Sequence, residues 1–362
     1  MSGGRLVGDI RASRNCPTAV FDYLLRSAST ALLIKINNAD GHAVGGEPVG
    51  DCGTNAAGRS GDNCDSHGER LYVILGWRHF SLTGSTPVSP YTHRCPMRWG
   101  DMDAQGHINN AAYLDYLQEA RVGFLLSGSP VLHHLLQSGV LVVSHQVEYI
   151  KPIAFSDRPL LIDLWVDAIG GSRFSIGYEV SDDTDLAARA RTGVVPFDLA
   201  SGSLRRLTAD ERELLGRALA PAEPLRQLPR VPVPANSHRY PLTVRWSDVD
   251  SYGHVNNVKY YDYVQEARIS LVNDTVGWEP EAVWMVVRQD LEYLKPIDFR
   301  IDPYEVGTAV SAIGNRSFTL TADISDPASS TVYATARTVV VGASPLTAGQ
   351  RSALDKWSVA RG

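Results

Sequence analysis

Two stretches of the chain carry the period of a helix. In "NNAAYLDYLQEARVGFLL", Tyr113, Leu117, Ala120 and Phe124 recur every three to four residues, with Asn109 or Asn110 standing where an N-cap belongs. Tyr260, Val264, Ala267 and Leu271 repeat that spacing further on. Each helical stretch is followed by runs rich in β-branched and aromatic residues. In the first set these are "VLVVSHQVEYI", "LLIDLWVDAI", "RFSIGYEVS" and "ARARTGVVPFD", and in the second "VWMVVRQDLEYL", "YEVGTAVSAI", "SFTLTADIS" and "TVYATARTVVVG". Gly, Asn, Asp and Pro separate the runs, as turns require. A short strand, one long helix and four strands, twice over, predict an α+β fold class in which each helix buries its apolar side on an antiparallel sheet.

The two sets are copies. Arg98–Arg121 ("RWGDMDAQGHINNAAYLDYLQEAR") and Arg245–Arg268 ("RWSDVDSYGHVNNVKYYDYVQEAR") are identical at 15 of 24 positions. "VEYIKPI" recurs as "LEYLKPI", "AIGGSRF" as "AIGNRSF" and "ARTGVV" as "ARTVVV", and both copies close on a similar tail beginning Leu207 and Leu346. A self-similarity of this kind marks a duplicated domain of about 130 residues, an ordinary domain size. The expected division is 89–219 and 241–362, joined by a linker at 220–240 whose five prolines predict an extended, semi-rigid spacer. Residues 1–88 belong to neither copy. They are Gly-rich and without sustained period, which predicts a disordered extension with "RLYVILGW" at Arg70–Trp77 as its one strand candidate.

Composition narrows the function classes. The 362 residues are 44% hydrophobic and 20% charged with a net charge of −6, which leaves no basic footprint for nucleic acid or an anionic membrane. No apolar run reaches the ~18 residues of a membrane span. The most apolar early stretch, Ala19–Ile36, is broken by Asp22, Arg26 and Lys35 and lacks the marks of a secretory signal, so a cytoplasmic protein is the default expectation. Cys16, Cys52, Cys64 and Cys95 have no C-x-x-C spacing and read as unpaired thiols, with no metal and no cofactor implied.

The repeated core is D-x-D-x-x-G-H-x-N-N, running directly into the helix. A helix start carries unpaired N–H groups and the positive end of the dipole, so the backbone near Asn110 and Asn257 can bind a carbonyl oxygen that becomes anionic. Asp103 and Asp250, on the incoming loop, can attack that carbonyl or activate a water. Gly106 and Gly253 allow close approach of the backbone, and His107 and His254 can position the water or hold the carboxylate. The same residue types also make good caps and turns. Asp, Gly, His and two Asn together at fixed spacing exceed what a turn needs and suit hydrolysis of an activated acyl group.

This segment resembles the hotdog-fold thioesterases, especially the 4-hydroxybenzoyl-CoA thioesterase-like group, and "GHVNNVKY" at Gly253–Tyr260 is similar to a segment of the plant acyl-ACP thioesterases. The resemblance covers about 90–220 and 240–358. It implies two tandem hotdog domains, each a long central helix wrapped by an antiparallel sheet, pairing as an intrachain pseudo-dimer with sites at the seam. It also implies an acyl-CoA or acyl-ACP substrate, Asp103 and Asp250 as the catalytic carboxylates, and carbonyl-polarising N–H groups near Asn110 and Asn257. Asp103/His107 and Asp250/His254 keep the four-residue spacing of the plant enzymes. Where those enzymes carry an intervening Asn, this chain has Gln105 and Tyr252, which sets the two copies apart as substrate-binding positions.

Glu119, Arg121, Glu266 and Arg268 read as helix-surface or pairing residues, and Lys151, Lys295, Arg173 and Arg316 as solvated charges within reach of a CoA phosphate. No G-x-S-x-G, P-loop, Rossmann or H-E-x-x-H pattern is present. Two other readings stay open: a hotdog hydratase or dehydratase, though its D-x-N-P-x-x-H-like spacing is missing, and a non-catalytic acyl-binding protein. Further homo-oligomerisation is left open as well.

Overall fold

The computed structural model describes residues 90–183, 185–275 and 284–359, all within one compact unit, Pro87–Gly362. The extension with its strand candidate, and Cys16, Cys52 and Cys64, lie outside the described residues. The first copy runs β1 (Tyr91–Cys95), α1 (Ala112–Ser127), α2 (Pro130–Ser138), β2 (Val140–Tyr149), β3 (Leu160–Ile169), β4 (Phe174–Asp182), β5 (Asp185–Asp198), a two-residue β6 (Ser203–Leu204) and α3 (Ala209–Arg217). The second runs β7 (His238–Leu242), α4 (Lys259–Thr275), β8 (Trp284–Tyr293), β9 (Tyr304–Ile313), β10 (Ser317–Asp326), β11 (Thr331–Gly342) and α5 (Ala348–Asp355). The similar tails become the short helices α3 and α5, each opened by a threonine capping box, Thr208 with Glu211 and Thr347 with Gln350.

All sheet pairings are antiparallel, and the order is β1-β3-β4-β5-β2-β8-β11-β10-β9-β7, with β6 on β5. That order is its own mirror image under exchange of the copies, so the two halves of the chain join edge to edge at β2 and β8. Five residue pairs make the joint, from Ser144 opposite Glu292 to Glu148 opposite Arg288. Side chains alternate between faces along a strand. On β3 the alternation buries Leu160, Ile162, Leu164 and Val166 against the helices, and Tyr304, Val306 and Val310 do the same on β9.

The helices are buried through Tyr113, Leu117, Ala120 and Phe124 in α1 and Tyr260, Val264, Ala267 and Leu271 in α4, at the predicted spacing. Further residues of each helix, including Leu114, Tyr116 and Arg121 in α1, are buried too. A helix on an ordinary sheet hides one stripe; these are covered on more than one side because the sheet and a short helix of the same half, α2 beside α1 and α5 beside α4, both reach them. The expected cap is displaced. Ala111 is the N-cap residue of α1 and makes no side-chain cap. Asn109 Oδ1 instead accepts the Ala111 N–H at 2.8 Å, and Asn256 Oδ1 accepts from Val258 at 3.2 Å, so these asparagines shape a turn before each helix.

The proline-rich stretch is pinned to the sheet as a strap, and β7 already begins at His238. It lies on the outer face of the sheet and offers carbonyls to outward-pointing side chains. Arg191 donates to Ala222 and Glu223, Arg288 to Arg226, and Thr321 to Val231. Under it, at the joint, Asp290 accepts from Arg288 (2.6 Å) and from Gln146 across the seam (3.2 Å), with Arg337 at 3.7 Å. Arg337 also donates to Glu292 at 2.9 Å.

Asp290 is 1% exposed and Arg288 5%, so this pair has lost the solvent screening that makes surface ion pairs nearly worthless. Replacing Asp290 by Ala removes the carboxylate that faces both guanidinium groups, leaving buried Arg288 with only the Arg226 carbonyl and Arg337 with only Glu292. Urea denaturation of Asp290→Ala is expected to show a loss of about 3–5 kcal/mol, against less than ~1 kcal/mol for an exposed pair such as Arg217–Glu213.

Candidate active site

The D-x-D loops fold alike. After the 3-10 turns Trp99–Asp101 and Trp246–Asp248, the first Asp of each motif ties the loop to its helix: Tyr116 donates to Asp101 at 2.6 Å and Tyr263 to Asp248 at 2.8 Å. The second Asp folds the loop on itself. Asp103 Oδ1 accepts the Gln105 N–H (2.8 Å) and the His107 N–H (3.2 Å), and Asp250 Oδ1 accepts the Tyr252 N–H (2.8 Å). Gly106 and Gly253 stand at φ +77 and +82, in the left-handed region, where a Cβ is strained although no neighbour would block it. The left-handed conformation is therefore what these glycines supply to the loop.

One oxygen of each catalytic-candidate carboxylate is thus held by the loop, while Oδ2 has no protein partner among the described residues. Burial raises the Asp250 carboxyl above the usual range, with the Tyr252 N–H and His254 acting in the opposite direction. The imidazoles do not hold these carboxylates: the His107 amide does so, and the His254 ring faces Asp298 at 3.6 Å.

At the helix start, Asn109 N–H donates to Asp101 and Asn256 N–H to Asp248, both at 2.8 Å. The next N–H groups, of Asn110 and Asn257, have no protein acceptor among the described residues. The peptides that carry them are held through the Asn109 and Asn256 carbonyls, which accept from the N–H groups of Ala112 (3.0 Å) and Lys259 (2.9 Å), and the peptides that follow are held by the hydroxyls of Tyr149 (2.8 Å) and Tyr293 (2.7 Å). A carboxylate with a free oxygen therefore precedes, on one short loop, a free N–H at the positive end of a helix.

Each asparagine side chain crosses the seam. Asn110 Nδ2 donates to Gln289 of β8 at 3.1 Å, and Arg268 of α4 donates to Asn110 Oδ1 at 3.3 Å. Asn257 Oδ1 meets His145 Nε2 of β2 at 3.2 Å, and His145 Nδ1 meets Thr192 at 2.9 Å. His145 and Gln289 occupy equivalent positions of the two copies, both on the inner face. The Tyr252 phenol approaches the backbone of Val140 in the first copy, whereas Gln105 is exposed. Each site is therefore assembled from both copies, and the two are chemically unequal.

His145, Gln289 and the seam role of Arg268 were absent from the sequence-based candidates. The signal was a polar residue in the middle of an apolar inner stripe, His145 before Val147 and Gln289 before Leu291. Arg121 and Arg268 are not helix-surface residues: Arg121 is 5% exposed, and burial lowers the Arg268 guanidinium to about 10, still charged at neutral pH. Lys151 is engaged by Asp182 and Asp185, and Arg316 by the carbonyls of Gly342 and Ala343. Among the described residues no cluster of three or more His, Cys, Asp or Glu could hold a metal, and no helix is long and apolar enough to cross a membrane. Cys95 is buried, and burial pushes its thiol up to about 11.

Two helix-and-sheet units with a polar loop at each helix start define a hotdog architecture. The family model of the thioesterase-like superfamily matches residues 97–235 and 244–358, and the chain belongs to that superfamily. The fold is shared with the 12:0-ACP thioesterase of Umbellularia californica (TM-score 0.58, 17% identity, 70% of this chain and 94% of that one). It is shared also with a putative oleoyl thioesterase of Lactobacillus plantarum (0.54, 15%, 70% and 95%) and an acyl-ACP thioesterase of Bacteroides thetaiotaomicron (0.53, 16%, 69% and 97%). In sequence, 84 residues are 32% identical to the uncharacterized protein YsmA of Bacillus subtilis, 22% of this chain. The match spans about half, 54%, of that curated relative.

The buried His145 has a pH signature. Burial first, then the Arg121 cation, lowers its pKa from 6.5 to about 3. Between those values the unfolded chain binds a proton that the folded one refuses, so stability falls as pH drops below about 6.5. The contribution from pH 7 to pH 5 is ~2 kcal/mol. His145→Gln, which installs the second copy's residue, is expected to remove that component from the difference between urea melts at pH 7 and pH 5. An unchanged difference would mean that the imidazole is not held neutral.

Proposed function

We propose that the chain hydrolyses acyl thioesters of CoA or of an acyl carrier protein, its two hotdog units working as an intrachain pseudo-dimer. The observation that carries this reading is the pairing, on each loop, of a carboxylate with one tethered and one free oxygen and an unengaged N–H at the helix start.

The thioester carbonyl oxygen is placed against the Asn110 or Asn257 N–H. The free oxygen of Asp103 or Asp250 then takes a proton from a water whose oxygen attacks the carbonyl carbon, or attacks that carbon itself. The oxyanion is stabilised by the N–H and the helix dipole, which act more strongly on full negative charge than on the ground-state carbonyl. On collapse the C–S bond breaks, the thiolate leaves and is protonated, and the free acid remains; an acyl-aspartate, if formed, is cleaved by water. His107 and His254 line the loop as orienting groups, and Gln105 and Tyr252 flank the carboxylates on the substrate side. The superfamily and the shared fold support thioester hydrolysis; the acyl-CoA or acyl-ACP substrate and the Asp mechanism are our reading of the geometry.

Thiol release from a panel of acyl-CoA thioesters tests it. Asp103→Asn with Asp250→Asn preserves the loop bonds to Oδ1 and is expected to lower kcat by about 10²–10⁴-fold with little change in melting temperature. Background thiol release by the wild-type protein across the panel would refute hydrolysis. Full activity in the double variant would remove the carboxylates from the mechanism.

A further inference from the structure

The polar groups beside Asn110 can be oriented by elimination. A guanidinium only donates, so the contact from Arg268 Nη2 must be to the Asn110 oxygen, at 3.3 Å. The Asn110 amide nitrogen then faces Gln289, whose oxygen accepts at 3.1 Å. Gln289 is 0% exposed, and its Nε2 group has no acceptor. The Nη1 group of Arg268 is likewise buried without one. Two donors, one on a charged group, are therefore left open around a single side chain at the Asp103 site.

Leaving buried donors unpaired costs about 1–3 kcal/mol each, more where charge is involved. The fold does not require it, because the equivalent place in the other copy is closed: His145 meets Asn257 with one ring nitrogen and Thr192 with the other. The openings also differ. Tyr252 leans onto Val140 at the Asp250 site, while Gln105 is exposed at the Asp103 site.

We propose that Gln289 Nε2 and Arg268 Nη1 form an acceptor-binding pair that takes an oxygen carried by the acyl chain itself, a hydroxyl or a second carboxylate. The Asp103 site thereby selects oxygen-substituted acyl thioesters over plain ones. This rests on the thioesterase reading and names the substrate class of one of its two sites.

The test uses full-length Asp250→Asn, which isolates turnover at the Asp103 site. Three CoA thioesters of one chain length are compared: octanoyl, 3-hydroxyoctanoyl and the half-thioester of octanedioic acid. At least one oxygenated substrate is expected to exceed octanoyl-CoA by ~10-fold or more in kcat/KM. Gln289→Leu and, separately, Arg268→Gln are expected to bring that ratio towards one. Three substrates within twofold of each other would overturn the proposal. So would an equal loss of kcat on all three in Gln289→Leu, which would assign the pair to the reacting carbonyl. If neither this variant nor the wild-type protein hydrolyses any of the three, the thioesterase reading fails instead; hydrolysis by the wild-type protein alone would assign turnover to the Asp250 site and leave that reading standing. Calorimetric binding to Asp103→Asn/Asp250→Asn then still decides the pair: tighter binding of an oxygenated thioester by ~10-fold or more supports it, and equal binding overturns it.

Discussion

Everything at the two sites depends on the register of one strand pair. Five residues of β2 lie antiparallel to five of β8, and because side chains alternate, the register decides what faces which way. His145, Val147, Gln289 and Leu291 face the helices, while Gln146, Glu148, Arg288 and Asp290 face the strap. A slip of one residue would send Asp290 and Arg288 into the helix layer and take His145 and Gln289 away from the asparagines. The seam is thus a structural joint and the wall of both sites at once.

The outer side of the joint shows how a proline-rich segment can hold a sheet together. Its backbone carbonyls accept from Arg191, Arg288 and Thr321, while the Ala222 N–H and the Arg230 side chain donate to Asp167 and Glu292 of the sheet. A chain duplicated from a half-sized ancestor needs a connection between its copies. Here that connection also covers the charged network of Asp290, Arg288 and Arg337, which without it would lie open at the middle of the sheet.

Much of this was legible along the chain because it depends on local period and on self-comparison. The helix stripes and the strand runs follow from spacing alone, and the D-x-D-x-x-G-H-x-N-N loop stands out because it recurs. Other assignments needed three dimensions. The N-cap reading of Asn109 or Asn110 placed the cap one or two residues before Ala111, since Asn109 closes a turn onto Ala111 first. His107 was a natural partner for Asp103 by spacing, yet its amide, not its ring, makes the bond. Arg121 and Arg268 look like surface charges on a helix judged alone, yet Arg121 is buried beside the Tyr178 hydroxyl and half-buried Arg268 reaches Asn110 of the other half.

By itself the sequence determined an α+β chain of two like units, a polar loop feeding each central helix, and a thioesterase resemblance resting on that loop. These are properties of short segments, set by side-chain period and backbone preference. Only the tertiary structure decided that each asparagine reaches across the seam, and that it meets histidine on one side and glutamine with arginine on the other. The residues involved are more than a hundred positions apart, Asn110 from Gln289 and Asn257 from His145, and nothing local relates them. The sheet register brings them together, and it does so because each half has an edge strand whose hydrogen bonds the other completes.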